Sequence, residues 1–146
     1  MLIAAAAFSL AGCELFSSSS SAPPPSAAQA AGAPPAEAAP HVVFFSLGSA
    51  VVDAKGLATV REAAAAAKKP GVKAVEAVGH TDRAGADKAN NALSTRRANA
   101  VRQALIKEGV PAALVTARGV GEGKPFMATE DGKRAPENRR VEITIR

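Results

Sequence analysis

The sequence is short of the residue types that most often build catalytic or metal-binding centres. Its 146 residues include no Trp, no Tyr, one Cys (Cys13) and two His (His41 and His80). A single Cys excludes a disulfide framework, and two separate His without further Cys do not form a zinc-type ligand set. His80-Thr81-Asp82 could suggest a catalytic triad, but the chain supplies no partner set for one. The sequence therefore predicts a protein that is not an enzyme and that needs no metal or cofactor.

Positive charge is absent from the first forty residues. Residues 1–40 contain no Lys or Arg, so all 18 basic residues and 11 of the 13 acidic residues lie in residues 41–146, which carry a formal charge of +7. Such a charge attracts phosphate backbones. The only aromatic residues in this region are Phe44, Phe45 and Phe126, too few for a surface that stacks on bases. Nucleic acid is therefore not a predicted partner.

The chain opens with a short run of small and apolar residues that ends at its only Cys. Residues 1–12 read MLIAAAAFSLAG and are shorter than the ~20 residues of a membrane span, which favours an export signal peptide. The segment LAGC at its end resembles the lipobox of bacterial lipoproteins, which implies cleavage before Cys13 and lipidation of its thiol. The alternative is a buried N-terminal helix with an incidental Cys. Because Glu14 is not the Asp that resembles an inner-membrane retention signal, the outer membrane is favoured, with the following domain facing the periplasm.

Residues 13–40 join this anchor to the rest of the chain. Apart from Cys13 they are mostly Ser, Pro and Ala, with five consecutive Ser residues and six of the ten prolines. This composition cannot bury a core and predicts a disordered linker. A linker of this length spans ~30 Å as a random coil and ~80 Å when extended, enough to connect a membrane surface to a second structure. A tail with no mechanical role is the alternative.

Residues 41–146 show the pattern of one α/β domain. The apolar run at 41–47 predicts a buried strand, and residues 141–146 alternate apolar and polar residues as a half-buried strand does. Helical periodicity ends at Pro-Gly after the first helix and at Gly then Pro after the second. The predicted strands are 41–47, 72–78, 114–120 and 139–146, and the predicted helices are 54–69 and 87–108. The order βαβαββ indicates an α/β (α+β) sandwich with two helices on one face of a mixed four-stranded sheet.

Four motifs occur in order through this region. Residues 79–85 read GHTDRAG, residues 90–101 read NNALSTRRANAV, residues 119–125 read GVGEGKP, and residues 138–143 read NRRVEI. Together they closely resemble the OmpA-like peptidoglycan-binding domain family, over essentially all of residues 42–146. The lipobox and linker make the chain similar to Pal-like outer-membrane lipoproteins in particular.

The resemblance implies that the domain binds peptidoglycan through meso-diaminopimelate in the stem peptide. The free end of this residue bears an ammonium and a carboxylate on one carbon, so its site needs one anion and one cation. By resemblance these are Asp82 for the ammonium and Arg97 for the carboxylate, which a guanidinium can bind with two parallel hydrogen bonds. If Ser94 caps the main part of the second helix, Arg97 lies in its first turn. The alternative is a structural ion pair between Asp82 and Arg97.

Two further residues match the family's site. Asn90 matches an Asn that lines the same cleft, and its alternative role is that of a turn residue. Arg139 matches an Arg that either approaches the ligand or braces a loop, and bracing is the preferred interpretation. His80 is interpreted as a hydrogen-bonded structural residue. A docking subunit of a Tol-Pal-like or other envelope complex, in contact with Tol-like or outer-membrane proteins, is the alternative to a tether between outer membrane and cell wall.

Overall fold

The computed structural model describes residues 39–146, and its strands and helices follow the predicted order βαβαββ. The strands are β1 (His41–Phe44), β2 (Val75–Gly79), β3 (Val115–Gly119) and β4 (Arg140–Ile145); the helices are α1 (Ala54–Ala67) and α2 (Asp87–Lys107). Short 3-10 turns, Ala112–Leu114 and Pro136–Asn138, precede β3 and β4. Neither α1 nor α2 is both long and apolar enough to cross a bilayer.

The four strands form one mixed sheet in the order β1-β4-β2-β3. β4 pairs antiparallel with both β1 and β2, whereas β2 and β3 pair parallel. The last strand of the chain therefore lies between the first two, and both helices pack on one face. The predicted α/β (α+β) architecture is confirmed.

Small aliphatic side chains form the core, as the absence of Trp and Tyr requires. The fully or almost fully buried members include Val43, Val60, Ala63, Ala64, Val75, Ala77, Val101, Leu105, Val141 and Ile143. Each buried Val, Leu or Ile contributes about 1.5–3 kcal/mol to folding. The Ala residues of α1 contribute less individually, but their small size allows the helix to pack closely against its neighbours.

The first predicted strand is longer than the observed one. The chain leaves the edge of the sheet after Phe44, although the Phe45 amide still donates to the Arg139 carbonyl at 2.8 Å. A turn then forms in which the Ser49 amide donates to the Ser46 carbonyl at 3.1 Å and Gly48 has a φ of 66°. Gly is favoured there because other residues rarely adopt a positive φ.

The two helices begin differently. Asp53 caps α1, since its Oδ1 accepts a hydrogen bond of 2.7 Å from the Gly56 amide. The conditional expectation that Ser94 caps the main part of α2 is wrong, because the helix begins at Asp87 and continues through Ser94. The Ser94 hydroxyl instead donates to the Asn91 carbonyl at 2.8 Å and accepts from the Gly121 amide at 3.0 Å.

Helix α2 approaches β2 and β3 closely because glycines face it. A Cβ at Gly79 would collide with the Ser94 carbonyl oxygen, and a Cβ at Gly119 would collide with Ser94 Oγ and the Thr95 amide. These two glycines belong to the motifs noted in the sequence. Their structural role is to fix the separation between the helix and the strand ends that carry the candidate site.

Candidate ligand-binding site

Three strands end, and the fourth begins, at the same end of the sheet. Because β1 and β2 are both antiparallel to β4 and β3 is parallel to β2, the carboxyl ends of β1, β2 and β3 meet the amino end of β4 there. The segments that adjoin this end of the sheet contain Asp82, Arg139 and the turn at 46–49. Residues far apart in the sequence are thereby brought together around the middle of α2.

Asp82 is buried, with 3% of its surface exposed. Its Oδ2 atom accepts hydrogen bonds from Arg139 Nη1 at 3.2 Å and from the Ala135 amide at 3.3 Å. No residue of the described range donates to Oδ1. One carboxylate oxygen is thus held by the protein, and the other keeps its capacity to accept a hydrogen bond.

Arg97 has no exposed surface and lies in the middle of α2, not in its first turn. Its Nε, Nη1 and Nη2 atoms donate to three backbone carbonyls, those of Ser49 (2.8 Å), His80 (3.0 Å) and Ser46 (3.0 Å). The guanidinium carbon lies 5.3 Å from the centre of the Phe45 ring, which adds a cation–π contact. A guanidinium has five N–H donors, so two remain after these three bonds.

Burial lowers the pKa of Arg97 to about 10, while the charge of Asp82 opposes this shift and that of Arg139 adds to it. Arg97 therefore keeps its positive charge at neutral pH. The structure does not support the structural ion pair between Asp82 and Arg97, because the carboxylate pairs with Arg139 instead. Buried Arg97, partly buried Arg139 and one carboxylate give this cluster a net positive charge, which suits a ligand group that brings a carboxylate.

Arg139 has the bracing contacts that the sequence interpretation preferred. Besides the ion pair with Asp82, its Nε donates to the Phe45 carbonyl at 3.2 Å. It therefore ties the end of β1 to the loop that follows β2. Its neighbour Asn138 is fully buried, and its side chain bonds the amides of Phe126 and Met127 and the Met127 carbonyl.

Asn90 is in α2, so its interpretation as a turn residue is wrong. It is 4% exposed, and its Nδ2 donates to Glu122 Oε2 at 2.7 Å. Sequence reasoning did not single out Glu122, or the carbonyls of Ser46 and Ser49 that hold Arg97. Glu122 lies within the third motif and could have been found from it, whereas a backbone carbonyl leaves no mark on the sequence.

The His80 side chain lies outside this cluster, although its carbonyl accepts a hydrogen bond from Arg97. It is 2% exposed, and neither ring nitrogen has a hydrogen-bond partner among residues 39–146. The side-chain hydrogen bond expected of this structural residue is therefore not seen in that range; Nε2 is 3.8 Å from Glu142 Oε2. Burial lowers the pKa of His80, and the charge of Arg140 adds to the effect. Within the same range no group of three His, Cys, Asp or Glu could hold a metal ion.

The predicted signal peptide (1–12), the lipidation site Cys13 and most of the linker (13–40) lie outside the described residues. The described domain is the part of the chain that can be compared with solved structures. Residues 39 and 40 are the only described part of the predicted linker.

Two relatives cover most of the chain. It is 36% identical over 114 residues to an "Outer membrane protein" of Gluconacetobacter diazotrophicus, a match that covers 74% of this chain and 30% of the relative. It is 35% identical over 106 residues to the "Probable lipoprotein YiaD" of Escherichia coli (strain K12), with 73% of this chain and 48% of the relative covered. The chain thus spans less than half the length of either relative.

A solved structure supports the same relationship. The peptidoglycan-associated lipoprotein of Burkholderia pseudomallei superposes with a TM-score of 0.66 at 31% identity, and the match covers 73% of this chain and 90% of that one. The model of the OmpA family matches residues 44–139, which contain Asp82, Asn90, Arg97 and Arg139. The match to the family model and the shared fold together show that the chain belongs to the OmpA family.

Proposed function

We propose that residues 41–146 bind peptidoglycan noncovalently through the diaminopimelate of its stem peptide. The observation that carries the proposal is the cluster of buried Asp82 and Arg97 with partly buried Arg139, which has one free carboxylate oxygen and a net positive charge. A zwitterionic ligand end needs these two features together. Membership of the OmpA family and the likeness to a peptidoglycan-associated lipoprotein support this choice of ligand.

In this proposal the ligand ammonium donates to Asp82 Oδ1, and the ligand carboxylate accepts from the two N–H groups of Arg97 that the backbone leaves free. The turn at 46–49 covers Arg97, so the carboxylate reaches it when this turn shifts. This contact is favourable because hydrogen bonds between charged groups are about twice as strong as neutral ones. Asn90 lines the site, and Arg139 holds Asp82 in place.

The anchor is the second half of the proposal. A signal peptide at 1–12 directs export, Cys13 becomes the lipidated N-terminus, and the linker up to residue 40 connects the outer membrane to the wall-binding domain. Each buried methylene of the acyl chains adds about 0.8 kcal/mol, so several chains hold the protein firmly. The protein then tethers the outer membrane to the cell wall.

Binding to purified sacculi tests the wall-binding half. The full chain in detergent should sediment with sacculi, and free meso-diaminopimelate should compete for the bound protein. An equal concentration of 1,5-diaminopentane, which keeps the two ammonium groups of diaminopimelate and lacks both carboxylates, is the matched competitor and should displace less protein. Sedimentation that diaminopimelate leaves unchanged contradicts the proposal, as does displacement by DNA alone.

Membrane fractionation tests the anchor. Cys13→Ser should leave unprocessed or soluble protein, whereas the parent should fractionate with the outer membrane. If the Ser variant still fractionates with membrane, Cys13 is not the anchor. Deleting residues 14–40 should weaken attachment in cells while leaving sacculus binding in solution intact.

A further inference from the structure

Glu122 determines which end of the Asn90 amide faces away from the protein core. The Asn90 Nδ2 atom donates to Glu122 Oε2 at 2.7 Å, and Asn90 is almost fully buried. An ionised carboxylate can only accept hydrogen bonds, so the nitrogen end of the amide must point toward it. The oxygen end points the other way, and no described residue donates to Asn90 Oδ1.

The backbone at Gly121, just before Glu122, is fixed by two hydrogen bonds and by close packing against Asn91. The Gly121 amide donates to Ser94 Oγ at 3.0 Å, and the Gly121 carbonyl accepts from the Thr81 amide at 2.9 Å. Gly121 has a φ of 58°, and a Cβ at this position would collide with the Asn91 side chain. These restraints join the end of β3 to α2 and aim the Glu122 carboxylate at Asn90.

A cation lies on the opposite side of this carboxylate. Arg83 Nε lies 3.7 Å from Glu122 Oε1, and the Arg83 Nη2 atom is paired with Asp131. The Arg83 carbonyl also accepts a hydrogen bond of 2.8 Å from the Gly132 amide. Glu122 therefore lies between Asn90 and a cation that is fixed to the loop before β4.

The free oxygen of Asn90 faces the loop that carries Asp82. Gly85 lies three residues after Asp82, and a Cβ at Gly85 would be 3.8 Å from Asn90 Oδ1. Gly85 is exposed and has a φ of 122°, so the strand-to-helix loop presents bare backbone beside this oxygen. A ligand group bound at Asp82 would thus have a second hydrogen-bond acceptor in the first turn of α2, beside this loop.

We propose that Glu122 is a positioning residue of this site, which holds Asn90 so that its amide oxygen accepts a hydrogen bond from an N–H group of the ligand. The proposal rests on the proposed wall-binding function. It specifies that the ligand presents nitrogen donors to Asn90, as an ammonium or a stem-peptide amide does. Glu122 does not touch the ligand.

Exchanging the amide of Asn90 with the carboxylate of Glu122 tests the orientation of the side chain at position 90. Asn90→Asp alone places two carboxylates against each other, turns the side chain out of position and should weaken sacculus binding about tenfold, or about 1.4 kcal/mol. Glu122→Gln alone should weaken it less, because the Gln carbonyl can still accept from Asn90. In the double variant Asn90→Asp with Glu122→Gln, the Gln amide donates to the Asp, and an oxygen still faces the ligand. This variant has the parent's net charge and should bind within about threefold of the parent or more tightly.

The matched control is Glu130→Gln, which removes an exposed carboxylate from the same loop and should bind like the parent. All variants are measured as full chains well below their melting temperatures, so that only folded protein is compared. Three results would overturn the positioning role while the parent still binds sacculi: a double variant no better than Asn90→Asp, single variants that bind like the parent, or changes confined to the melting temperature. A parent chain that fails to bind sacculi overturns the proposed function itself.

Discussion

Two Arg–Phe pairs lie on opposite sides of the β1–β4 strand pair, and they differ in what neutralises the cation. Arg97 packs over Phe45 and bonds only to backbone carbonyls. Arg140 packs against Phe126, with 5.5 Å between guanidinium carbon and ring centre, and is paired with Glu142 at 2.7 Å. Both arginines are buried. An Arg whose neighbours are neutral dipoles can still receive a carboxylate, whereas an Arg already paired with one is a structural residue.

The rings differ as well. Phe45 is 5% exposed, whereas Phe126 is 71% exposed. A buried aromatic ring below a cation fixes its position and keeps water away from it, which strengthens its interaction with a ligand charge. The same ring at the surface mainly covers the cation from one side. Burial of the ring and absence of a paired carboxylate thus distinguish Arg97, which we propose binds the ligand, from Arg140.

Replacing each Arg by Lys should give the largest difference in sacculus binding between the two Arg–Phe pairs. Arg97→Lys should cut sacculus binding by more than about tenfold, because one ammonium cannot hold three carbonyls and a carboxylate in a planar array. Arg140→Lys keeps a cation beside Glu142 and should leave binding within about twofold. Quantitative sedimentation with sacculi measures both. Equal losses in the two variants would remove the distinction between the pairs.

Removing the carboxylates of Asp82 and Glu142, one in each variant, should give the next largest difference in sacculus binding. Asp82→Ala removes the partner of the ligand ammonium, a loss of ~2–5 kcal/mol for a hydrogen-bonded charge pair, and should cut binding at least tenfold. Glu142→Gln removes the carboxylate of the other pair and should lower the melting temperature while leaving binding unchanged. The melt of each variant identifies misfolding. If folded Asp82→Ala protein still sediments like the parent, the diaminopimelate site lies elsewhere.

Acid should destabilise the side of the sheet that holds Arg140. The pKa of His80 is below its ordinary value of 6.5 because the ring is buried, with Arg140 adding to the shift. The unfolded chain therefore takes up the proton more readily than the fold. The stabilising contribution of the neutral ring is complete above pH ~6.5 and is lost as the pH falls through the lowered folded value.

The melting temperature of the parent should accordingly fall between pH 7 and pH 5 by more than that of His80→Gln. Sacculus binding at pH 7 should be nearly the same in both proteins, because His80 is outside the cluster. A parent and variant with parallel pH profiles would show that His80 does not contribute to acid sensitivity.

Truncating the exposed ring of Phe126 should have the smallest effect, a small change in the free energy of unfolding. Phe126→Ala should change the free energy of unfolding by no more than about 0.5 kcal/mol, as is usual for surface substitutions. Phe45→Ala, its buried counterpart, should cost about 3–5 kcal/mol because it leaves a cavity below Arg97. Denaturant melts of the two variants measure the difference. A large loss for Phe126→Ala would mean that this ring is part of the folded core.

The strands and helices could be predicted from the sequence because each carries a local signal. The Asp53 cap, the Pro-Gly after α1 and the alternation in β4 depend on neighbouring residues. The contacts of the site join residues 17 to 94 positions apart, such as Arg97 with His80 and Arg139 with Phe45. No local pattern encodes these pairs, so family motifs pointed to Asp82 and Arg97 but not to the ion pair that Asp82 makes.

Ser94 shows why a local signal can mislead. A Ser followed by helical periodicity is a common helix start, yet here its hydroxyl bonds a loop that lies beside it only in the folded chain. The position of Asn90 in α2 agrees with the helix predicted for residues 87–108. Its contact with Glu122, 32 residues away, could not be predicted from a local pattern.

The direction of β1 has a mechanical consequence. The chain enters the domain at His41, at one end of the β1–β4 pair, and the candidate site lies at the other end, beyond Phe44. Tension between the entering chain and a ligand held at that site would act along β1. The hydrogen bonds of an antiparallel pair run perpendicular to the strands, so such a load shears several of them together instead of separating them one after another. A pull between the two termini of the domain would load the strands differently, because His41 and Ile143 are neighbours across the sheet.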